Sequence, residues 1–217
     1  MALVTPQRVG LPGEAGRIEA VVELPQQVAQ PAAFMVVCHP HPLHGGTMGN
    51  KVVTTLARTA HELGAATIRF NFRGVGASEG SFDQGRGEIR DALTAAAHGR
   101  HLWPDARLWL AGFSFGGVVA LRASTTHGVG RVEKLLTVAP ALASHYAAAR
   151  EIQVPHCPWL VIQGEDDEVV DPKLVMEWTQ ALQPPPQVVL LPETGHFFHG
   201  ALNTLQERAG SFLARAP

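Results

Sequence analysis

Ser114 lies in the segment Gly112-Phe-Ser-Phe-Gly116, between two apolar runs of the chain. A serine can attack a carbonyl carbon when its hydroxyl projects from a sharp turn between a strand and a helix. Glycine fits positions 112 and 116 of such a turn, because side chains there would collide with the neighbouring strand and helix. The N–H groups that begin the helix would face the oxyanion of the reaction. The segment predicts a nucleophilic Ser114, with the Phe115 N–H as one oxyanion donor.

A serine hydroxyl needs a base that takes its proton, and the base needs a third group that holds it. In this strand–turn–helix arrangement the partners follow along the chain in the order serine, acid, histidine. Of the eleven histidines, only His196 and His199 lie after the last predicted strand and before the last predicted helix. We predict His196 as the base, because it follows Gly195 and is nearer to the end of the strand.

The acid is expected at the end of a strand that follows Ser114. The strand that ends near Ala139 has no carboxylate after it until Glu151, whereas the next strand ends in a turn rich in carboxylates. These are Glu165, Asp166, Asp167, Glu168 and Asp171. Most of them are expected to be solvated or to cap the helix that begins at Pro172. Spacing alone does not separate Asp166 from Asp167 as the catalytic acid.

Apolar runs and helical patterns alternate along the chain. The apolar runs predict strands at Phe34–Cys38, Thr67–Phe72, Arg107–Gly112, Lys134–Ala139, Trp159–Gln163 and Val188–Leu191. The helical patterns predict helices at about Lys51–Leu63, Glu88–Gly99, Gly117–Ser124, Pro172–Leu182 and Ala201–Ala214. This alternation predicts a mostly parallel sheet with helices on both faces.

The first part of the chain has a different pattern. The run Glu19–Leu24 follows the turn signal Gly13-Glu-Ala-Gly16, so we expect an antiparallel hairpin at one edge of the sheet. The hairpin brings the predicted sheet to eight strands. Because no repeat, low-complexity tract or linker interrupts the sequence, we predict a single domain over residues 1–217.

At these motifs the sequence resembles the α/β-hydrolase superfamily over nearly its whole length. The segment Gly164-Glu-Asp-Asp167-Glu-Val-Val resembles the acid turn of that superfamily, which implies Asp167 as the acid. Gly195-His196-Phe-Phe resembles its histidine loop. The resemblance implies the α/β-hydrolase fold and a serine hydrolase with the triad Ser114, Asp167 and His196.

A narrower resemblance covers the stretch from His39 to Val53 together with Phe70–Gly76. Both are similar to a subfamily of small bacterial α/β-hydrolases with a His-Pro-His-Pro loop, whose substrates are poorly defined. In the superfamily an aspartate usually stands two residues before the arginine of Arg73-Gly74. This chain has Asn71 there, a difference that we interpret as structural.

The loop His39–Gly46 follows the strand that flanks the nucleophile, and in this fold that loop supplies the second oxyanion N–H. Pro40 and Pro42 have no N–H to donate, which leaves His41, Leu43 and the pair Gly45–Gly46. We predict Leu43. The alternative is a zinc site made by the three histidines of the loop, His39, His41 and His44. The two prolines predict a stiff, extended loop that has no carboxylate, so we expect neither a metal nor a cofactor.

Many enzymes of this fold carry a cap between the strands that here end near Ala139 and begin near Trp159. The 20-residue interval between them has room for a short helix and loops, not for a cap domain. An open cleft cannot bury a long acyl chain. We therefore expect small or short-chain esters or thioesters, or the exposed end of a carrier-bound acyl group. An amidase, an acyltransferase and a non-catalytic binding protein on the same scaffold are the alternatives.

The composition limits the partners of the protein. The formal net charge is −2 over 217 residues, which does not favour nucleic acid or an anionic membrane. No apolar run reaches the roughly 18 residues that would span a bilayer. The first residues lack the pattern of a secretory signal. The two cysteines, Cys38 and Cys157, are expected to be buried free thiols. Together these features favour a reducing cytoplasm, and they leave the oligomeric state open.

Overall fold

The computed structural model of the protein describes residues 4–142 and 153–215. Its strands are β1 (Val4–Gly13), β2 (Gly16–Pro25), β3 (Ala33–Cys38), β4 (Ala66–Phe70), β5 (Arg107–Phe113), β6 (Val132–Val138), β7 (Trp159–Gly164) and β8 (Gln187–Leu191). Its helices are α1 (Lys51–Glu62), α2 (Arg86–Leu102), α3 (Phe115–Thr125), α4 (Pro172–Gln180) and α5 (Leu202–Leu213). The strands form one sheet in the order β1-β2-β4-β3-β5-β6-β7-β8.

The sheet is parallel except at one edge. β1 pairs with β2, and β2 with β4, in antiparallel register, and the other neighbours are parallel. The predicted eight-stranded, mostly parallel sheet and its edge hairpin are therefore confirmed. Boundaries differ by a few residues, most clearly at α2, which begins at Arg86 rather than near Glu88. The Glu88 carboxylate accepts hydrogen bonds from the N–H groups of Asp83 and Gly85, both at 2.8 Å. These bonds stabilise the N-terminus of α2, so the helix begins before the first residue of its apolar pattern.

The core lies on both faces of the sheet. In β3 all six residues are buried, as expected of a central parallel strand. Phe34 and Val36 of this strand pack with residues of α2 and α3, whereas Met35 and Val37 pack with residues of α1 and α5. Strand alternation thus divides the helices between the faces. The described helices include none that is long and apolar enough to cross a bilayer.

The parallel strands place the predicted site residues at the edge of the sheet formed by the carboxyl ends of the strands, not at the lateral edge that carries the hairpin. Ser114 directly follows β5, Asp167 follows β7, and His196 follows β8. The carboxyl ends of parallel strands lie at the same edge, where ligands bind in open α/β sheets. The interval between β6 and β7 leaves no cap domain over this edge. The short helix predicted there falls largely on residues 143–152, which lie outside the described residues.

Asn71, which follows β4, has a structural role, as predicted. Its Oδ1 accepts a hydrogen bond from the Met48 N–H at 2.8 Å, and its Nδ2 donates to Glu19 Oε2 at 2.7 Å. The Ala77 N–H also donates to Glu19 Oε2, and this bond outweighs partial burial, so that the pKa of Glu19 lies below its usual value. An ionised aspartate at position 71 has no N–H to donate to Glu19.

Candidate active site

Ser114 occupies a backbone conformation that residues other than glycine rarely adopt. Its φ is +55° and its ψ is −119°, between the last residue of β5 and the first of α3. The Ser114 N–H donates to the Val138 carbonyl at 2.9 Å, and its own carbonyl accepts from the Gly117 N–H at 2.9 Å. These bonds hold the sharp turn that projects the hydroxyl from the sheet edge.

The two glycines of the motif make room for this turn. A Cβ added at Gly112 would lie 2.1 Å from the Gly116 carbonyl oxygen. A Cβ added at Gly116 would lie 2.3 Å from the His39 carbonyl oxygen, at the end of the neighbouring strand. Both obstacles are backbone atoms, so the collisions predicted from the sequence are confirmed.

His196 is in hydrogen-bond contact with both of its predicted partners. Its Nε2 lies 3.1 Å from Ser114 Oγ, and its Nδ1 lies 2.9 Å from Asp167 Oδ2 and 3.1 Å from Oδ1. The ring packs against Phe113, with the centroids 5.0 Å apart, and only 3% of the residue is exposed. An ionised carboxylate can only accept, so it fixes the proton on Nδ1 and leaves Nε2 free to take the serine proton.

The Asp167 carboxylate accepts hydrogen bonds from several donors. Its Oδ1 accepts from the N–H groups of Val169 at 2.9 Å and Val170 at 2.7 Å. Its Oδ2 accepts from Gln163 Nε2 at 2.8 Å. Burial would raise the pKa of Asp167, but the hydrogen bonds from His196 and from the backbone outweigh it and lower that pKa. The carboxylate is therefore ionised beside His196 at neutral pH.

The other candidates for the acid and the base lie elsewhere. Asp166 is exposed, and its N–H donates to the Thr194 carbonyl at 3.0 Å. His199 is exposed, and its ring centroid lies 6.0 Å from that of Phe197. Asp171 caps α4 by accepting from the Lys173 N–H at 2.9 Å, which confirms a capping role for part of the acidic turn. The structure brings Ser114 and His196 together with Asp167, not with Asp166.

The loop after β3 is not extended, and that prediction is wrong. Pro42–His44 form one turn of 3₁₀ helix, with the His41 side chain as its cap. Proline suits the first position of a helix, where no N–H is needed, so it starts a turn here instead of preventing one. The Leu43 N–H donates to His41 Nδ1 at 3.2 Å, and the Leu43 residue is 69% exposed. The group that we predicted as the second oxyanion donor thus has an acceptor within its own loop.

His39 has both ring nitrogens in use. The Phe72 N–H donates to Nε2 at 3.0 Å, so Nδ1 carries the proton and donates to the Pro40 carbonyl at 2.6 Å. Burial lowers the pKa of His39 to about 4, although the bond to Pro40 opposes this shift. The ring therefore joins the ends of β3 and β4 and offers no lone pair to a zinc ion. Over residues 4–142 and 153–215 no three His, Cys, Asp or Glu side chains form a group that could hold a metal.

Sequence reasoning missed several residues that hold the site. Gln163, the next-to-last residue of β7, contacts Asp167, and its position as the one polar residue in an apolar strand could have revealed it. Phe113 supports the His196 ring, yet in the sequence it looks like any residue of a buried strand. The Glu168 carboxylate accepts a hydrogen bond from the His196 N–H at 3.2 Å. Nothing in the sequence of the acidic turn distinguishes Glu168 from the other carboxylates.

A described cavity lies away from these residues. It has a volume of about 460 Å³ and is lined by residues at the start of β7 and β8, among them Cys157, Trp159 and Gln187. The amino ends of parallel strands lie opposite the edge that carries Ser114. This cavity is therefore not a binding cleft for a group that reacts with Ser114.

Solved structures with this architecture are close to the chain in sequence as well. A serine hydrolase without a lid from Xanthomonas campestris is 40% identical, with a TM-score of 0.89 over 98% of this chain and 97% of that one. An α/β serine hydrolase homologue from Coxiella burnetii is 38% identical, with a TM-score of 0.89 over 96% and 97% of the two chains. The fold is the α/β-hydrolase fold without a cap domain.

The family described as serine aminopeptidase, S33, matches residues 29–154, and the chain belongs to this family of α/β hydrolases. An uncharacterised protein of Rickettsia prowazekii is 33% identical over 160 residues, which are 73% of this chain and 66% of that protein. An uncharacterised protein of Mycobacterium tuberculosis is 30% identical over 158 residues. The chain spans 66% and 56% of the lengths of these two relatives.

Proposed function

We propose that the protein is a serine hydrolase that cleaves small or short-chain carboxylic esters or thioesters through Ser114, His196 and Asp167. The observation that carries the proposal is the position of His196, whose two ring nitrogens contact Ser114 Oγ and the Asp167 carboxylate at 3.1 and 2.9 Å. A histidine between a hydroxyl and a buried carboxylate is the arrangement that activates a serine.

Each residue has one role in the proposed reaction. His196 Nε2 takes the Ser114 proton while Oγ attacks the carbonyl carbon and a tetrahedral oxyanion forms. The resulting imidazolium is stabilised by Asp167 and then gives its proton to the leaving alcohol or thiol. Water repeats the sequence on the acyl-serine, which releases the acid and restores the free hydroxyl.

The oxyanion needs two N–H donors, and the first is that of Phe115, at the start of α3. We predicted the second donor at Leu43, but the Leu43 N–H is engaged by His41 Nδ1. We assign this role to the His41 N–H because of where the loop lies relative to α3. The chain at His39 passes 2.3 Å from a Cβ placed on Gly116, and the His41 ring lies 5.1 Å from that of Phe115. Both contacts bring this part of the loop against the first turn of α3.

Labelling with a fluorophosphonate tests the proposal, because only an activated serine reacts rapidly. We expect wild-type protein to be labelled at Ser114 and to hydrolyse p-nitrophenyl acetate. Ser114→Ala should fold and lose turnover by about 10⁶-fold. Activity of that variant within about tenfold of wild type would reject Ser114 as the nucleophile.

Amide hydrolysis is a second candidate, because the matched family is described as a serine aminopeptidase. The same triad can cleave an amide when the leaving amine is protonated by His196. A parallel assay with p-nitroanilides of amino acids separates the two activities. A higher kcat/KM on the anilides than on acetate esters would favour the peptidase over the esterase.

We propose the cytoplasm as the compartment in which the protein works. Cys38 and Cys157 form no disulfide, and burial raises the pKa of Cys157 to about 11. Unpaired, unreactive thiols are typical of proteins in a reducing compartment.

A further inference from the structure

We propose that Glu168 is a positioning residue for His196: its carboxylate holds the main chain of the catalytic histidine while Asp167 holds the ring. The proposal rests on the proposed function, because it assigns Glu168 a role in the chemistry of the same site. Glu168 Oε2 accepts a hydrogen bond from the His196 N–H at 3.2 Å. Adjacent carboxylates of one loop thus bind the same histidine at two different points.

The local backbone explains why the two neighbouring carboxylates reach different parts of His196. Asp167 Oδ1 accepts the N–H groups of Val169 and Val170, so the chain turns back over the Asp167 side chain. Glu168 lies at the outer part of this turn and is exposed, yet its carboxylate reaches across to the histidine loop. The turn that orients the acid therefore also directs the Glu168 side chain.

Gly195 fits this contact. A Cβ added at Gly195 would lie 2.9 Å from Glu168 Oε2 and 3.6 Å from the Asp166 carbonyl oxygen. The absence of a side chain lets the carboxylate approach the N–H of the next residue. The contact between Glu168 and the His196 N–H thus explains why a glycine precedes the histidine.

The acid and histidine loops are already joined by backbone bonds, but these end before His196. Glu165 donates to the Leu191 carbonyl at 2.9 Å, and Asp166 donates to the Thr194 carbonyl at 3.0 Å. The next described link to the main chain of the histidine loop is the one from Glu168. It fixes the histidine loop at the residue whose ring must stay within hydrogen-bond distance of Ser114.

The charge of Glu168 adds a second effect. A negative group near an imidazole favours its protonated form, which His196 adopts during the reaction. Because Glu168 is exposed, solvent and salt screen this attraction. We therefore expect a large part of the contribution to come from position and a smaller, salt-dependent part from charge.

Two substitutions separate these effects. Glu168→Gln keeps an oxygen that accepts the His196 N–H but removes the charge, whereas Glu168→Ala removes both. Glu165→Gln is the matched control, since Glu165 is an exposed carboxylate of the same turn and only its main chain contacts the histidine loop. Gly195→Ala disturbs the contact from the other side with Glu168 intact.

The measurements are kcat and KM on p-nitrophenyl acetate at low and high salt, and the NMR resonances of the His196 ring. We expect Glu168→Ala and Gly195→Ala to lower kcat about five- to tenfold with KM within about twofold. Glu168→Gln should keep kcat within about threefold, and the part of the loss that comes from the charge should shrink in 0.5 M NaCl. Glu165→Gln should match wild type.

The proposal is overturned if Glu168→Ala keeps wild-type kcat, or if its loss equals the fraction of unfolded protein and glutamine restores nothing. Should Glu168→Ala fail to fold, Glu168→Gln and Gly195→Ala still decide by the same criteria. NMR reports the environment of the His196 ring even in a protein that hydrolyses no ester. Absent fluorophosphonate labelling of wild type would thus reject the proposed function, whereas His196 ring resonances that stay unmoved in Glu168→Ala would reject the positioning role.

Discussion

At the scale of single residues, the candidate site depends on which atoms already have partners. The His196 ring has a proton on Nδ1 because Asp167 accepts there, and this alone makes Nε2 the basic nitrogen that faces Ser114. Asp167 is in turn kept ionised by backbone N–H groups. In the proposed reaction, activation of the serine is therefore a consequence of hydrogen bonds that begin several residues away.

Asp167→Asn is expected to lower kcat by roughly 10⁴-fold, because an amide that donates to Nδ1 favours the wrong tautomer of His196. Asp166→Asn is the matched control and should change kcat little, since the Asp166 side chain is exposed and only its N–H joins the histidine loop. Steady-state kinetics on one ester compares the two. The opposite ranking would move the catalytic acid to Asp166.

His41→Pro is expected to lower kcat about 10²- to 10³-fold, because it removes one proposed oxyanion donor. The φ of His41 is −53°, which proline can adopt, so the substitution suits the local backbone. His41→Ala removes the same ring but keeps the N–H, and it should retain most of the turnover. Equal losses in the two variants would assign the effect to the ring.

At the scale of elements, His39 joins two parallel strands at the edge that carries the site. Its ring accepts from the Phe72 N–H beyond β4 and donates to Pro40 beyond β3. The His39 carbonyl also borders Gly116 in α3. One buried histidine thus fixes the loop after β3 relative to the nucleophile turn, in its neutral form only.

This requirement predicts a pH-dependent stability. The pKa of His39 falls from 6.5 to about 4 on folding. Between these two pH values His39 is protonated in the unfolded chain and neutral in the folded chain. The free energy of unfolding should therefore decrease as pH falls from about 6.5 to 4, by up to about 3 kcal/mol from this group. Urea denaturation of wild type and His39→Gln measures it, and the variant should show the shallower decrease.

His199→Gln serves as the control in this series, because His199 is exposed. It should leave the pH dependence of unfolding unchanged. A wild-type dependence that His39→Gln does not alter would mean that other buried histidines carry it, such as His61, whose pKa burial also lowers.

The strands and helices were predictable because their apolar periodicity is long and regular. The loops were less so, since their geometry depends on single side-chain bonds. The 3₁₀ turn at Pro42–His44 depends on the His41 ring as a cap, and the early start of α2 depends on Glu88. The contact between Ser114 and His196 was predictable from their order along the chain, whereas the contact of His196 with Asp167 rather than Asp166 was predictable only from the family resemblance. Gln163 contacts Asp167 through a strand whose pattern indicates only burial.

At the level of the complete fold, the sheet separates the open edge that carries Ser114 from a cavity among the described residues. Ser114 follows the carboxyl end of β5, and the cavity of about 460 Å³ lies at the amino ends of β7 and β8. No cap domain encloses the catalytic edge. We therefore expect little apolar surface there that could enclose a long acyl chain.

This geometry predicts a preference for short acyl groups. Along a series of p-nitrophenyl esters, kcat/KM should fall once the acyl chain exceeds a few carbons, mainly through KM. Each methylene left in water forgoes up to about 0.8 kcal/mol of burial free energy. The assays are done below the critical micelle concentration of each ester, because aggregation of long-chain esters would also lower the apparent kcat/KM. A clear optimum at long chains would contradict the prediction.

The hydrogen bond between Asn71 and Glu19 links the edge hairpin to the loop after β4. It limits which substitutions the two positions can accept during evolution. Replacing Asn71 alone by aspartate would set two carboxylates about 2.7 Å apart, the distance now spanned by a hydrogen bond. A lineage can reach aspartate here more easily after Glu19 has been lost. Positions 19 and 71 should therefore vary together among relatives: where one carries aspartate at 71, we expect a residue without negative charge at 19.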